Sequence, residues 1–151
     1  MRVGKFPRDL DKALPQKHMV VVYNQLRMEE AKILTQLRTN FSSLNQHLTQ
    51  LRVVESAACQ CGDETESTMH LSFYCPQWIE ERVLLREAMG NRWADLSFAL
   101  GGWSGRRAGT DQRYVDGPSE EWKPNMAVLK AVITFVKATQ RLQPKALAEE
   151  T

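Results

Sequence analysis

The stretch between Cys59 and Cys75, CQCGDETESTMHLSFYC, contains all three cysteines of the chain and one of its three histidines. Thiolate sulfur and imidazole nitrogen are ligands that a tetrahedral zinc ion takes at roughly 2.3 Å and roughly 2.0–2.1 Å. The spacing C-x-C, then eight residues, then H-x4-C predicts a zinc site with Cys59, Cys61, His70 and Cys75 as its ligands. Whatever fold the chain adopts must bring these four side chains together.

The residues around the ligands indicate how the chain can do this. Gly62 can take a positive φ, so a tight turn is expected directly after the first two cysteines. Residues 65–74 are typical of a short helix that carries His70. Because the residue before a proline is pushed out of the α region, we expect the chain to bend before Pro76 and to return Cys75 toward His70.

Two other interpretations of the cysteines are open. Cysteine is among the most frequently buried residues, and apolar side chains surround this stretch, so some of the thiols could be ordinary core residues. A disulfide is disfavoured because the number of cysteines is odd and C-x-C is too short for easy bridging. The sequence also shows no secretory signal that would predict an oxidising compartment.

Charge is distributed unevenly along the 151 residues, although the net charge is only +2. Lys and Arg outnumber Asp and Glu by nine to five in residues 1–58 and by eight to six in residues 104–151. Residues 59–103 carry only three basic side chains against seven acidic ones, and a zinc ion with three thiolates adds a further negative charge. The metal stretch is therefore a poor surface for phosphate, and contacts with nucleic acid are expected elsewhere.

Helical periodicity dominates the rest of the sequence and predicts a mainly α fold of about five helices, with the zinc-binding loop between helix pairs. No run of about eighteen apolar residues predicts a membrane span, and a cytoplasmic or nuclear location is expected. The predicted helices cover residues 21–39, a segment carrying Leu44, Leu48 and Leu51, residues 76–89, residues 93–100, and a last helix from near Pro124 with Met126, Leu129 and Val136 on one face.

The predicted domain spans residues 18–143. Residues 1–17 are expected to form a basic arm or linker, residues 101–121 a flexible loop rich in glycine and arginine, and residues 144–151 a disordered tail. A basic arm or an arginine-bearing face can follow a phosphate backbone, but a solvated tail or face explains the same residues. The candidates for RNA or DNA binding are Lys5, Arg8, Lys12, Lys17, Arg27, Arg38, Arg106 and Arg107.

Several segments together resemble one family. The segments ILTQLRTNFSSLN, CQCGDETESTMHLSFYC, RWADLSFALGG and FVKATQRL are similar to the region after the ribonuclease H domain in fungal LINE-like (non-LTR) retrotransposon polyproteins. The resemblance covers roughly residues 14–143. It implies a zinc-knuckle-like role for the four ligands, and RNA or DNA, the reverse transcriptase domain or another protein as the partner.

Catalytic activity is not expected from this chain. Polymerase and ribonuclease H chemistry need several carboxylates gathered around divalent metals, usually on the strands of a mixed sheet. Here the acidic residues fall in predicted helices and loops. The sequence therefore predicts a non-catalytic accessory module that assists nucleic-acid binding, or alternatively a zinc-clipped protein-interaction domain or an inactive remnant of a retroelement.

Overall fold

The computed structural model describes residues 10–11, 17–103, 105 and 122–142. These residues contain helices and turns but no strand, so the prediction of a mainly α fold is confirmed. The helices are α1 (His18–Asn24), α2 (Met28–Thr39), α3 (Asn45–Gln50), α4 (Val83–Met89), α5 (Leu96–Ala99) and α6 (Met126–Thr139), with a π-helical turn (His70–Tyr74) and 3₁₀ turns (Pro76–Trp78, Gly90–Arg92) between them.

The core is built around α6, which packs against α2, α4 and α5. Its predicted apolar stripe is confirmed, since Leu129, Val132 and Val136 are completely buried. The helix begins at Asn125, whose side-chain oxygen accepts a hydrogen bond from the backbone N–H of Val128 at 3.1 Å. A long apolar stripe with a side-chain cap at its start is sufficient to define this helix.

The prediction of a single helix over residues 21–39 is wrong, because the structure has two separate helices here, α1 and α2. At the end of α1 the N–H of Gln25 donates to the carbonyl of Val22 at 3.0 Å, which tightens and terminates the helix. Arg27 is extended, and its N–H donates to the side chain of Glu30 at 2.9 Å. That bond caps the start of α2, although the hydrophobic pattern of the sequence continues through this point without interruption.

Two other predicted helices are shorter than expected. The segment 76–89 begins as a 3₁₀ turn, and its α-helical part is only α4. The segment 93–100 is helical only in α5, because Ala94 adopts a φ of 71° and Asp95 then caps the helix through a 3.2 Å bond from the N–H of Phe98. A left-handed residue such as Ala94 ends any preceding helical path.

A buried network connects residue 11 to the helices. Asp11 is fully buried and accepts hydrogen bonds from Arg38 at 2.8 Å and from the N–H of Trp103 at 2.9 Å. The imidazole of His18 lies 2.6 Å from the same carboxylate. Leu10 is also buried, so the prediction of an arm or linker is wrong for residues 10–11.

The remainder of the predicted arm, nearly all of the loop 101–121 and the tail 144–151 lie outside the described residues. Within the described part of the chain, no helix has both the length and the apolar character needed to cross a membrane.

Candidate metal centre

The structure brings all four predicted ligands together. One sulfur or nitrogen atom from each of Cys59, Cys61, His70 and Cys75 lies within 4.8 Å of the other three. Cys59, Cys75 and His70 are buried, and Cys61 is partly exposed. The first two ligands lie on a loop before the π-helical turn, and the other two lie at the beginning and just after the end of that turn.

A tight turn positions the first pair of ligands. The N–H of Gly62 donates to the carbonyl of Cys59 at 3.0 Å, and the N–H of Cys59 donates to the carbonyl of Asp63 at 3.0 Å. Gly62 has a φ of 102°, a conformation that side chains disfavour strongly. The turn predicted from this glycine is confirmed.

The second pair is positioned by a wider turn than the predicted α-helix. The N–H of Cys75 donates to the carbonyl of His70 at 2.7 Å, a bond that spans five residues instead of four. A turn of this width places residues 70 and 75 close to the same side, whereas an α-helix separates them by about 140°. Cys75 itself is extended before Pro76, so the expected bend is also present.

Two of the distances between ligand atoms are close to those of a tetrahedral metal site. The Sγ atoms of Cys59 and Cys75 are 3.7 Å apart, and the Sγ of Cys61 is 3.3 Å from Nε2 of His70. With metal–sulfur bonds of about 2.3 Å, a tetrahedron places two sulfurs about 3.8 Å apart. A disulfide needs about 2.05 Å. The three cysteines are free thiols, and the cluster can hold a metal ion.

Burial makes the thiols of Cys59 and Cys75 weaker acids than an ordinary cysteine. Burial raises the pKa of Cys75 to about 12 and also raises the pKa of Cys59, because a thiolate is poorly solvated there. The backbone N–H groups of Cys61 and Gln77 oppose this shift by donating to the two sulfurs. A metal ion therefore has to displace protons from both thiols, and its affinity should rise with pH.

Asp63 faces the ring of His70 from the side away from the thiols. Its Oδ2 lies 3.6 Å from Nδ1 of His70, while Nε2 of the same ring points to Cys61. A carboxylate beside the non-ligating nitrogen favours the tautomer that leaves Nε2 free for a metal. An acidic residue between metal ligands in the sequence is a signal for this role, but Asp63 was not among the residues predicted for the site.

Glu66 connects the metal loop to the helices. Its buried carboxylate forms a two-pronged ion pair with Arg141, at 2.9 Å to Nε and 2.5 Å to Nη2, and also accepts the N–H of Asn45 at 2.8 Å. Arg141 follows α6 and Asn45 begins α3. One side chain within the ligand stretch thus anchors two distant segments, a contact that no local pattern predicts.

The side chain of Arg82 is hydrogen-bonded to the π-helical turn. It is buried and donates to the carbonyls of Ser72 at 3.0 Å and Leu71 at 2.9 Å. Its guanidinium also lies 5.1 Å from the ring centre of Phe135 in α6. Carbonyls left without partners by the irregular turn are satisfied in this way.

Three of the predicted nucleic-acid residues lie within the described part of the chain, and two of them are exposed. The prediction that Arg38 binds nucleic acid is wrong, because its side chain is buried. It donates to Asp11 and, at 2.7 Å, to the carbonyl of Leu100, so phosphate cannot reach it. Lys17 and Arg27 are exposed. The remaining candidates lie outside the described residues, namely Lys5, Arg8, Lys12, Arg106 and Arg107.

Comparisons with protein-family models, with curated protein sequences and with solved structures gave no significant match for this chain. The metal centre and the surfaces of the molecule are therefore the basis for any functional proposal.

Proposed function

We propose that the chain is a zinc-binding, non-catalytic module in which the metal has a structural role. The observation that carries this proposal is the convergence of three thiols and one imidazole within 4.8 Å. Soft sulfur ligands together with an imidazole favour zinc over magnesium, calcium or manganese. Four protein ligands also leave the ion no open position for water or substrate, unlike catalytic zinc sites with three.

The geometry suggests what the metal does. Cys59 and Cys61 lie on the loop that Glu66 ties to Arg141, and His70 and Cys75 flank the turn that Arg82 supports. A zinc ion joins these two segments covalently and holds the turn against the core. This role matches an accessory module of a non-LTR retrotransposon polyprotein, the family suggested by the sequence resemblance.

Elemental analysis tests the zinc proposal directly. We expect about one zinc per chain in protein purified without chelator, and its loss in Cys61→Ser and Cys75→Ser variants. Gln60→Ala is a matched control, because Gln60 is exposed between two ligands and should not affect the metal content. Wild-type protein without bound metal would overturn the proposal.

Assistance in RNA or DNA binding is the second proposed function. Exposed Lys17 and Arg27 support it, together with the basic N-terminal segment. Such binding would be largely independent of sequence and would weaken steeply with salt, because it releases counterions from phosphates. Affinity for single-stranded RNA measured at two salt concentrations tests it, and lack of binding at low salt would rule it out.

A further inference from the structure

A groove with an apolar lining lies between α2, the start of α3 and the end of α6. Tyr23, Met28, Leu48 and Leu142 contribute to its lining. Met28 is 76% exposed, the highest value among the large apolar side chains of the described residues. A flexible thioether can adapt to different neighbours, and exposed methionines are common on surfaces that bind peptides.

Basic side chains surround this apolar lining. Arg27, Lys32, Lys137 and Arg141 line the groove, whereas Glu29 is the acidic residue among the lining side chains. Glu29 lies 2.7 Å from Lys137, and an exposed pair of this kind is weak and screened by salt. Arg27 and Lys32 are exposed and form no ion pair with any described residue, so the edge of the groove has an excess of positive charge.

The metal loop shapes one side of the groove. Arg141 lines it and is fixed by its two bonds to Glu66, which lies between the metal ligands Cys61 and His70. The groove and the metal centre are thus connected through one buried ion pair. A site that uses this groove would be preformed when the metal loop is in place.

We propose that the groove binds an acidic, amphipathic peptide segment of a partner protein. Its apolar side chains would pack on Met28 and Leu48, and its carboxylates would lie beside Arg27 and Lys32. This recognition mode, an amphipathic helix in a groove, needs an apolar lining with complementary charge at the edge. The interaction goes beyond the proposed zinc and RNA functions, although it shares Arg27 with the second of them.

The lining favours a peptide over a polynucleotide. Single-stranded nucleic acid is bound by aromatic faces on which bases stack, together with continuous positive charge. The groove offers a single aromatic residue, Tyr23, and its hydroxyl is hydrogen-bonded to Thr35 at 2.9 Å.

Fluorescence anisotropy with the full-length, zinc-loaded protein tests the proposal. The probe is a labelled helical peptide with leucines on one face and glutamates on the other, and a second peptide replaces every glutamate with lysine. We expect saturable binding of the acidic peptide alone. The double variant Arg27→Glu, Lys32→Glu should weaken it by about tenfold or more, because two rim charges are reversed.

Two controls make the outcome decisive. Lys130→Glu reverses an exposed charge on α6 outside the groove and should leave affinity unchanged. Met28→Ser should weaken binding without changing net charge, zinc content or the melting temperature. The proposal is overturned if the acidic peptide does not bind, if Lys130→Glu has the same effect as the double variant, or if single-stranded RNA binds in the groove and the peptide does not.

Discussion

At the scale of single residues, Asp63 is expected to influence the orientation of His70. The two ring nitrogens face different partners, with Nε2 toward the thiol of Cys61 and Nδ1 3.6 Å from the carboxylate of Asp63. Replacing Asp63 with Asn removes the charge that favours a proton on Nδ1. We expect zinc affinity to fall by about tenfold, the lower end of the effects known for such outer partners, in a competition titration with a chromophoric chelator.

The neighbouring acidic residue provides the control for this prediction. Glu64 is exposed in the same loop and contacts neither a ligand nor the ring, so Glu64→Gln removes one negative charge at a similar place. Its zinc affinity should stay within about twofold of wild type, because an exposed charge acts weakly through solvent. Equal losses in both variants would indicate a general effect of charge, and no loss in Asp63→Asn would contradict the role of Asp63.

Asp11 provides a second prediction for a single residue. Although burial by itself would raise its pKa, hydrogen bonds from His18, the N–H of Trp103 and Arg38 lower it from 3.8 to about 2. A carboxyl whose pKa is lower in the folded than in the unfolded state stabilises the fold at any pH above its unfolded pKa. This stabilisation disappears as the pH falls through the folded pKa. The stabilisation at neutral pH is on the order of 2 kcal/mol.

Urea denaturation of wild type and Asp11→Asn measures this contribution. The variant should lose on the order of 2 kcal/mol of unfolding free energy near neutral pH, and the difference should narrow below about pH 4. Glu80→Gln is a suitable control because Glu80 is exposed. A difference that stays constant as the pH falls would show that the charge of Asp11 is not its source.

At the scale of elements, the π-helical turn depends on Arg82. Truncation to Ala leaves the carbonyls of Leu71 and Ser72 without their buried donor and removes the contact with Phe135. We expect a loss of about 2–4 kcal/mol in unfolding free energy, because a buried charged hydrogen bond and its packing disappear together. Zinc affinity should also fall, since His70 and Cys75 flank the turn.

Arg86→Ala is the matched control for this element. Arg86 is exposed on α4 and stacks over Trp93 at 5.0 Å, so its removal should cost less than about 1 kcal/mol and leave zinc affinity unchanged. Denaturation and zinc titration of both variants check the prediction. Similar losses for the two arginines would show that the π-helical turn does not need the Arg82 bonds.

The elements also show how far the sequence determines the fold. The stripe and cap of α6 are local features, and the helix was predicted correctly. The break between helices at Arg27 and the wide turn before Cys75 depend on which backbone groups form hydrogen bonds, and hydrophobic periodicity does not predict these bonds. The convergence of Cys59, Cys61, His70 and Cys75 was predictable because their spacing within one short stretch is typical of a zinc site. Arg38 was wrongly predicted to contact nucleic acid, because its partner in the fold, Asp11, lies 27 positions earlier in the chain.

At the scale of the whole molecule, the metal loop and the helical core are mutually dependent. Leu71 and Phe73, which lie between two ligands, belong to the main hydrophobic cluster together with residues of α2 and α6. Glu66 and Arg82 connect the same stretch to the end of α6 and to its Phe135. A metal ion bound by the four side chains would therefore hold core residues in place as well as a surface loop.

Removing zinc should consequently reduce the helicity of the entire protein. Structural zinc contributes on the order of 10 kcal/mol in small folds, comparable with the roughly 5–15 kcal/mol of total stability typical of a domain. We expect a chelator to lower both the far-UV circular dichroism signal and the melting temperature. Zinc should restore both, whereas magnesium should not, because it prefers oxygen ligands. Unchanged helicity and melting after complete metal removal would show that the core of α2, α4 and α6 is stable by itself, which would contradict a structural role for the metal.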